Sequence, residues 1–136
     1  MHLQAVVQVL RDFGFGAAYE QAGWLHDVVE DTAVELSEIR QRFGKDVADM
    51  VDAVTGLGAT RTERNERIYA GIRACPSAAV VKIADRIANV EAAPPGSDHS
   101  ARYLREADAF AAAIQPHVPP EMWARLVRGL ELAGRE

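Results

Sequence analysis

The chain has 136 residues, 49% hydrophobic and 26% charged, which is enough apolar material for one ordinary domain with its own core and too much for a disordered chain. Its formal net charge of −5 argues against a general nucleic-acid surface, and no apolar run approaches the ~20 residues that span a bilayer. The single cysteine, Cys75, has no internal disulfide partner, and Met1-His2-Leu3-Gln4 lacks the charged and apolar regions of a secretory signal, so the sequence reads as cytoplasmic.

Residues 3–13 carry Val6, Val7, Val9 and Leu10 at helical spacing, and Gly14-Phe15-Gly16 stops that first helix. The pattern predicts a second helix over 17–31. Thr32 and Glu35 are spaced as a capping box for a third, 34–43, with Leu36, Ile39 and Phe43 inward and Gly44 ending it. Val47, Met50, Val51 and Val54 mark a fourth, up to Thr55. After Gly56-Leu57-Gly58, residues 61–74 form a charged fifth helix with a thin apolar side at Ile68, Tyr69 and Ile72. Pro76 breaks it, and Ser77 is placed to cap a sixth, 78–92, whose apolar composition predicts a central position. An alanine-rich helix over 102–114 and an amphipathic one over 121–132 follow, separated by Pro116, Pro119 and Pro120. Trp24 and Trp123 read as core residues. No alternating strand pattern occurs, so the expected fold is an all-α domain of seven or eight helices.

The chemistry concentrates in Ala22-Gly23-Trp24-Leu25-His26-Asp27-Val28-Val29-Glu30-Asp31-Thr32. On a continuous helix His26 lines up with Glu30, and Asp27 with both Glu30 and Asp31. Three crowded carboxylates repel one another unless a cation offsets them, and a divalent metal is the simplest such cation. Acids at a helix C-terminus also oppose the dipole, by ~0.3–1 kcal/mol each, so Glu30 and Asp31 gain nothing structural there. A second signal is Asp85, which interrupts an apolar helix and has Asn89 four residues on, on the same face. Asp85 reads equally as an ion-pair partner of Lys82 or Arg86 and as a metal ligand. The Arg61–Arg67 run reads as a solvated helix face before it reads as a phosphate contact.

His2, the His26-Asp27 doublet and the distant Asp85 together resemble the HD superfamily of metal-dependent phosphohydrolases. The strings Leu25-His26-Asp27-Val28-Val29-Glu30-Asp31-Thr32 and Val81-Lys82-Ile83-Ala84-Asp85-Arg86-Ile87-Ala88-Asn89 are similar to the hydrolase domain of RelA/SpoT-type proteins and small alarmone hydrolases. The resemblance implies a single HD-type domain over 1–136, with the metal-site motifs within 2–91 and C-terminal helices over 98–134. It implies removal of the 3′-pyrophosphate from (p)ppGpp with Mn²⁺, with Fe²⁺, Zn²⁺ or Mg²⁺ as other ions, and a small nucleotide as the partner rather than nucleic acid or membrane. It assigns the metal to His2, His26, Asp27 and Asp85, and handling of the attacking water to Glu30 and Asp31. It assigns substrate contacts to Asn89, near the sugar, and to Arg61, at a phosphate. In that family a helix with base-gripping residues precedes the first histidine, which here is residue 2, so the resemblance speaks more to the metal than to the base. The alternatives are hydrolysis of another nucleotide phosphate ester and a non-catalytic HD module that binds a nucleotide or partner; the intact Glu30-Asp31 pair speaks against the latter.

Overall fold

The computed structural model describes residues 2–134, and among these it contains ten α-helices, one 3-10 turn and no strand. The helices are α1 (His2–Asp12), α2 (Ala17–Leu25), α3 (Val28–Asp31), α4 (Leu36–Phe43), α5 (Lys45–Ala53), α6 (Arg61–Ala74), α7 (Ala78–Ala92), α8 (Asp98–Arg105), α9 (Ala107–Ile114) and α10 (Pro120–Ala133), with the 3-10 turn at Gln115–His117. This is the expected all-α architecture.

Helix α7 is central because it is apolar nearly all round, and such a helix is stable only when surrounded. Eleven of its fifteen residues are buried, among them Val81, Ile83, Ala84 and Ile87. Helices α1, α2, α5, α8, α9 and α10 pack against it. Val6 and Leu10 of α1, Val51 of α5, Phe110 and Ile114 of α9, and Met122 and Leu126 of α10 fill the core around it. None of the described helices is long and apolar enough to cross a membrane.

Several local expectations fail. The helix expected over 17–31 is broken at His26-Asp27 into α2 and α3. His26 Nδ1 donates to the Gly23 carbonyl at 2.6 Å, the acceptor a continuous helix would offer to the Asp27 amide. The Thr32/Glu35 capping box does not form. Thr32 Oγ1 donates to Val28 O at 2.6 Å and accepts from Val34 N at 3.1 Å, and α4 starts only at Leu36. Ser77 makes no side-chain cap, since its own backbone is already helical. The hydroxyls that do cap are Thr60, accepting from Glu63 N, and Ser97, accepting from Ser100 N. The helix expected over 102–114 is two, α8 and α9, meeting at Glu106. Trp24 and Phe43 are 41% and 40% exposed rather than inward, while Trp123 is half-buried and stacked on Phe110.

Helices α5 and α6 touch backbone to backbone. A Cβ at Gly71 would stand 2.6 Å from Ala53 O and 2.8 Å from Ala53 Cα, so only glycine permits the approach. Arg67 clasps the same junction, donating to the carbonyls of Asp52 and Thr55. This contact sets how far α6 stands from the rest, and α6 carries one wall of the site.

Candidate metal centre

Three pieces of chain bring polar groups to one point. His2 comes from the first turn of α1, His26 and Asp27 from the break between α2 and α3, and Asp85 from the middle of α7. Asp85 Oδ1 lies 2.8 Å from His2 Nε2 and 3.2 Å from His26 Nε2. One ligand atom from each of His2, His26 and Asp85 falls within 4.8 Å of the other two. Asp27 sits beside this triad, its Oδ2 3.3 Å from His26 Nε2. His26 and Asp85 are buried, and His2 is partly exposed.

The hydrogen bonding of His26 decides what the cluster can hold. Its Nδ1–H is committed to Gly23 O, which leaves the Nε2 lone pair facing the lone pairs of Asp85 Oδ1. Two acceptors at 3.2 Å repel unless a positive charge lies between them. With protons alone, burial works against a charged His26, but the hydrogen bond and charge of Asp85 and the charge of Asp27 prevail and push its pKa up to about 9. Burial likewise opposes the Asp85 carboxylate, yet Lys82 and the two histidines hold its pKa well below the usual carboxylate range. A divalent cation answers the same demand with one ion. Two imidazole nitrogens with one or two carboxylate oxygens form the mixed set that suits Mn²⁺, Fe²⁺ or Zn²⁺. An imidazole whose far nitrogen is fixed by a backbone carbonyl is also the usual arrangement of a metal-bound histidine. The residues present therefore fit a metal.

A cavity of about 140 Å³ opens beside the triad, lined by His26, Asp27, Glu30 and Asp85 and by the cationic and amide groups of Arg61, Arg64, Asn65 and Lys82. Burial raises the pKa of Asp27, with the charges of Asp85 and Asp31 adding to it. Glu30 is exposed, yet partial desolvation of its carboxylate raises its pKa too, with the charge of Asp27 adding to it and a hydrogen bond from the Gly56 backbone holding it back. Carboxyl groups so placed hold a proton more readily than free ones.

Of the eight residues expected at the site, the structure brings His2, His26, Asp27, Asp85, Glu30 and Arg61 to this centre or its cavity. Asp31 is exposed and does not line the cavity, and Asn89, one turn beyond Asp85, is half-buried and also outside the lining. Lys82 meets Asp85 Oδ2 at 3.4 Å as an ion pair, but Arg86 turns away to Glu106. The Arg61–Arg67 run is not simply a solvated face: Arg61, Arg64, Asn65 and Ile68 line the cavity, and their i, i+3, i+4, i+7 spacing was the signal to read.

Comparison with known proteins agrees with this geometry. A family model described as HD domain matches residues 1–112. A protein of Synechocystis sp. named probable guanosine-3′,5′-bis(diphosphate) 3′-pyrophosphohydrolase is 37% identical over 97 residues, 65% of this chain and 13% of that protein. A GTP pyrophosphokinase of Streptomyces coelicolor is 36% identical over 95 residues, 65% of this chain and 11% of that protein. The chain thus spans only about an eighth of the length of these curated relatives. Among solved structures, one described as a metazoan ortholog of SpoT that hydrolyzes ppGpp superposes with a TM-score of 0.77 at 22% identity, covering 98% of this chain and 80% of that one. The match over residues 1–112 makes this chain a member of the HD domain family.

Proposed function

We propose that this chain is a metal-dependent phosphohydrolase that releases the 3′-pyrophosphate of (p)ppGpp, with Mn²⁺ as its metal and the cytoplasm as its place of work. The observation that carries the proposal is the approach of two imidazole Nε2 atoms, at 2.8 and 3.2 Å, to one buried carboxylate oxygen beside a cation-walled cavity. The printed name of the Synechocystis relative supports the substrate.

His2, His26 and Asp85 would hold the cation, with Asp27 completing the set. When bound, it supplies a water of lowered pKa and a positive charge for a phosphate oxygen. Glu30 lines the cavity within the same cluster, and its raised pKa suits it to take the proton of the attacking water. Asp31, outside the lining, acts through its charge on Asp27 and Glu30. Arg61, Arg64 and Lys82 offset the charge of the pyrophosphate. The water oxygen bonds to the phosphorus next to the ribose 3′-oxygen, that P–O bond breaks, and the 3′-oxygen leaves with a proton. The cavity is smaller than the ~300–1,000 Å³ of clefts that enclose whole small molecules, so it takes the reacting phosphate end and leaves the nucleoside outside. Asn89, just beyond the lining, then meets the sugar. Helices α8 to α10 belong to the same working unit, because they pack on α7 and the α8–α9 junction supplies Glu106, which holds Arg61 of the cavity wall.

The test is pyrophosphate release from ppGpp and from other nucleotides by the Mn²⁺-loaded chain, beside Asp85→Ala and Glu30→Gln. Release confined to ppGpp, lost in Asp85→Ala and reduced ~10²–10⁴-fold in kcat by Glu30→Gln, supports the proposal. Release only from another nucleotide moves the substrate. Metal binding without any release makes the chain a binding module.

A further inference from the structure

Glu106 stands where α8 gives way to α9, and its carboxylate is met by side chains from two other helices. Oε2 accepts from Arg61 Nε at 2.6 Å and from Asn65 Nδ2 at 3.2 Å, and Oε1 accepts from Arg61 Nη2 at 3.0 Å. Oε1 also lies 3.2 Å from Nη2 of Arg86, which is 3% exposed and whose guanidinium rests 4.4 Å from the Phe110 ring centre and 5.0 Å from that of Tyr103. A buried cation requires such a partner. One carboxylate therefore does two jobs: it neutralises a core arginine and holds two groups that line the cavity.

The second job fixes the direction of side chains at the cavity. Arg61 opens α6, where the helix dipole does not favour a cation, and it is partly exposed. A free arginine there would sample many rotamers. The two-pronged grip on Nε and Nη2 removes that freedom and leaves Nη1 uncommitted. Asn65 is oriented in the same way: with its Nδ2 bound to a carboxylate, Oδ1 is left as a free acceptor. The ligand atoms of the metal centre come from α1, the α2–α3 break and α7, and none of them touches Glu106.

We propose that Glu106 is a positioning residue for the substrate: it pre-sets Arg61 and Asn65 to meet the phosphate end and acts on binding rather than on bond breaking. This rests on the preceding reading of the cavity as the phosphate site. The test compares wild type, Glu106→Gln, Arg61→Ala and the double variant, all Mn²⁺-loaded, by kcat and KM for pyrophosphate release from ppGpp. Glu106→Gln raises KM about tenfold and leaves kcat within about twofold, and the double variant loses less than the product of the two single losses, since Arg61 is the main group through which Glu106 acts. Should Glu106→Gln fail to fold, Glu106→Asp replaces it, since it keeps a negative charge near the buried Arg86 while breaking the two-pronged reach to Arg61; it is expected to fold and to raise KM. Independent, multiplying losses in the double variant, a fall in kcat at constant KM, or a wild-type KM in the folded variant each overturn the assignment. If wild type releases nothing from ppGpp, the substrate reading fails separately. Calorimetric titration with inorganic pyrophosphate then decides the role of Glu106: about tenfold weaker binding to the variant supports it, and equal binding overturns it.

Discussion

Gly71→Ala is expected to destabilise the fold although alanine is the better helix former. Replacing glycine inside a helix such as α6 ordinarily gains ~1 kcal/mol. Here the new Cβ would meet Ala53 O at 2.6 Å, Ala53 Cα at 2.8 Å and Ala53 C at 3.1 Å. All three atoms are backbone, so no side chain can rotate away, and α6 must move off α5. Overpacking of this kind costs about 1–3 kcal/mol, and backbone against backbone belongs at or above the upper end. The balance is a net loss of about 2 kcal/mol or more, which is several degrees in Tm for a domain of this size. Urea and thermal unfolding read it directly. Because Arg61, Arg64 and Asn65 ride on the same helix, KM for the phosphate substrate should rise with the displacement. A variant as stable as wild type, or more so, would show that the two helices do not touch as described and would refute the argument.

Two further outcomes follow from the site. Chelation should lower Tm and Mn²⁺ should restore it, since a ligand at a hundredfold excess over its Kd stabilises the folded state by ~2.7 kcal/mol; Asp85→Asn should abolish this shift, and a metal-independent Tm in wild type would remove the case for a metal. Burial opposes the Glu106 carboxylate, but its bond to Arg61 and the charge of Arg86 hold its folded pKa below the ordinary value. Its contribution to stability is then full above the unfolded glutamate pKa and is lost as pH falls through the lower folded one. Wild type should accordingly exceed Glu106→Gln in urea midpoint near neutrality and converge with it in acid, and a gap that widens towards acid would reverse the sign.

What the sequence revealed and what it hid have a common physical basis. Asp85 was legible because an acid in a run such as Val80, Val81, Ile83, Ala84 and Ile87 must be paired or bound to something. The helix boundaries of α6 and α7 were legible because hydrophobic period and proline placement both act locally. The break at His26-Asp27 was not, because it depends on one imidazole taking the carbonyl three residues back, and periodicity carries no information about side-chain hydrogen bonds. The cavity wall on α6 was legible in principle, but Arg61, Glu63, Arg64, Glu66 and Arg67 are so charged that the i, i+3, i+4 face was submerged in polar residues. Glu106 gave no signal at all, as its partner Arg61 lies 45 residues away and nothing near it in sequence marks the meeting.

The groups of the His2, His26, Asp27 and Asp85 cluster stand largely at interruptions of regular structure: His2 in the first turn of α1, and His26 and Asp27 at the α2–α3 break. Asp85 is the exception, held in the unbroken middle of the most buried helix. The division has a reason. A side chain inside a helix points where the helix points, and several helices around one post cannot all aim at a single spot 5 Å across. Ends and breaks release that constraint, so the chain can bend an imidazole or a carboxylate inward without tilting a whole element. One ligand must nevertheless be immobile, or the others have nothing to converge on. Burial among Val81, Ile83, Ala84 and Ile87 gives Asp85 that fixity, at the cost of desolvating its charge. The desolvated carboxylate in turn is what draws the two histidines in, so the group most expensive to bury is also the one that assembles the site around it.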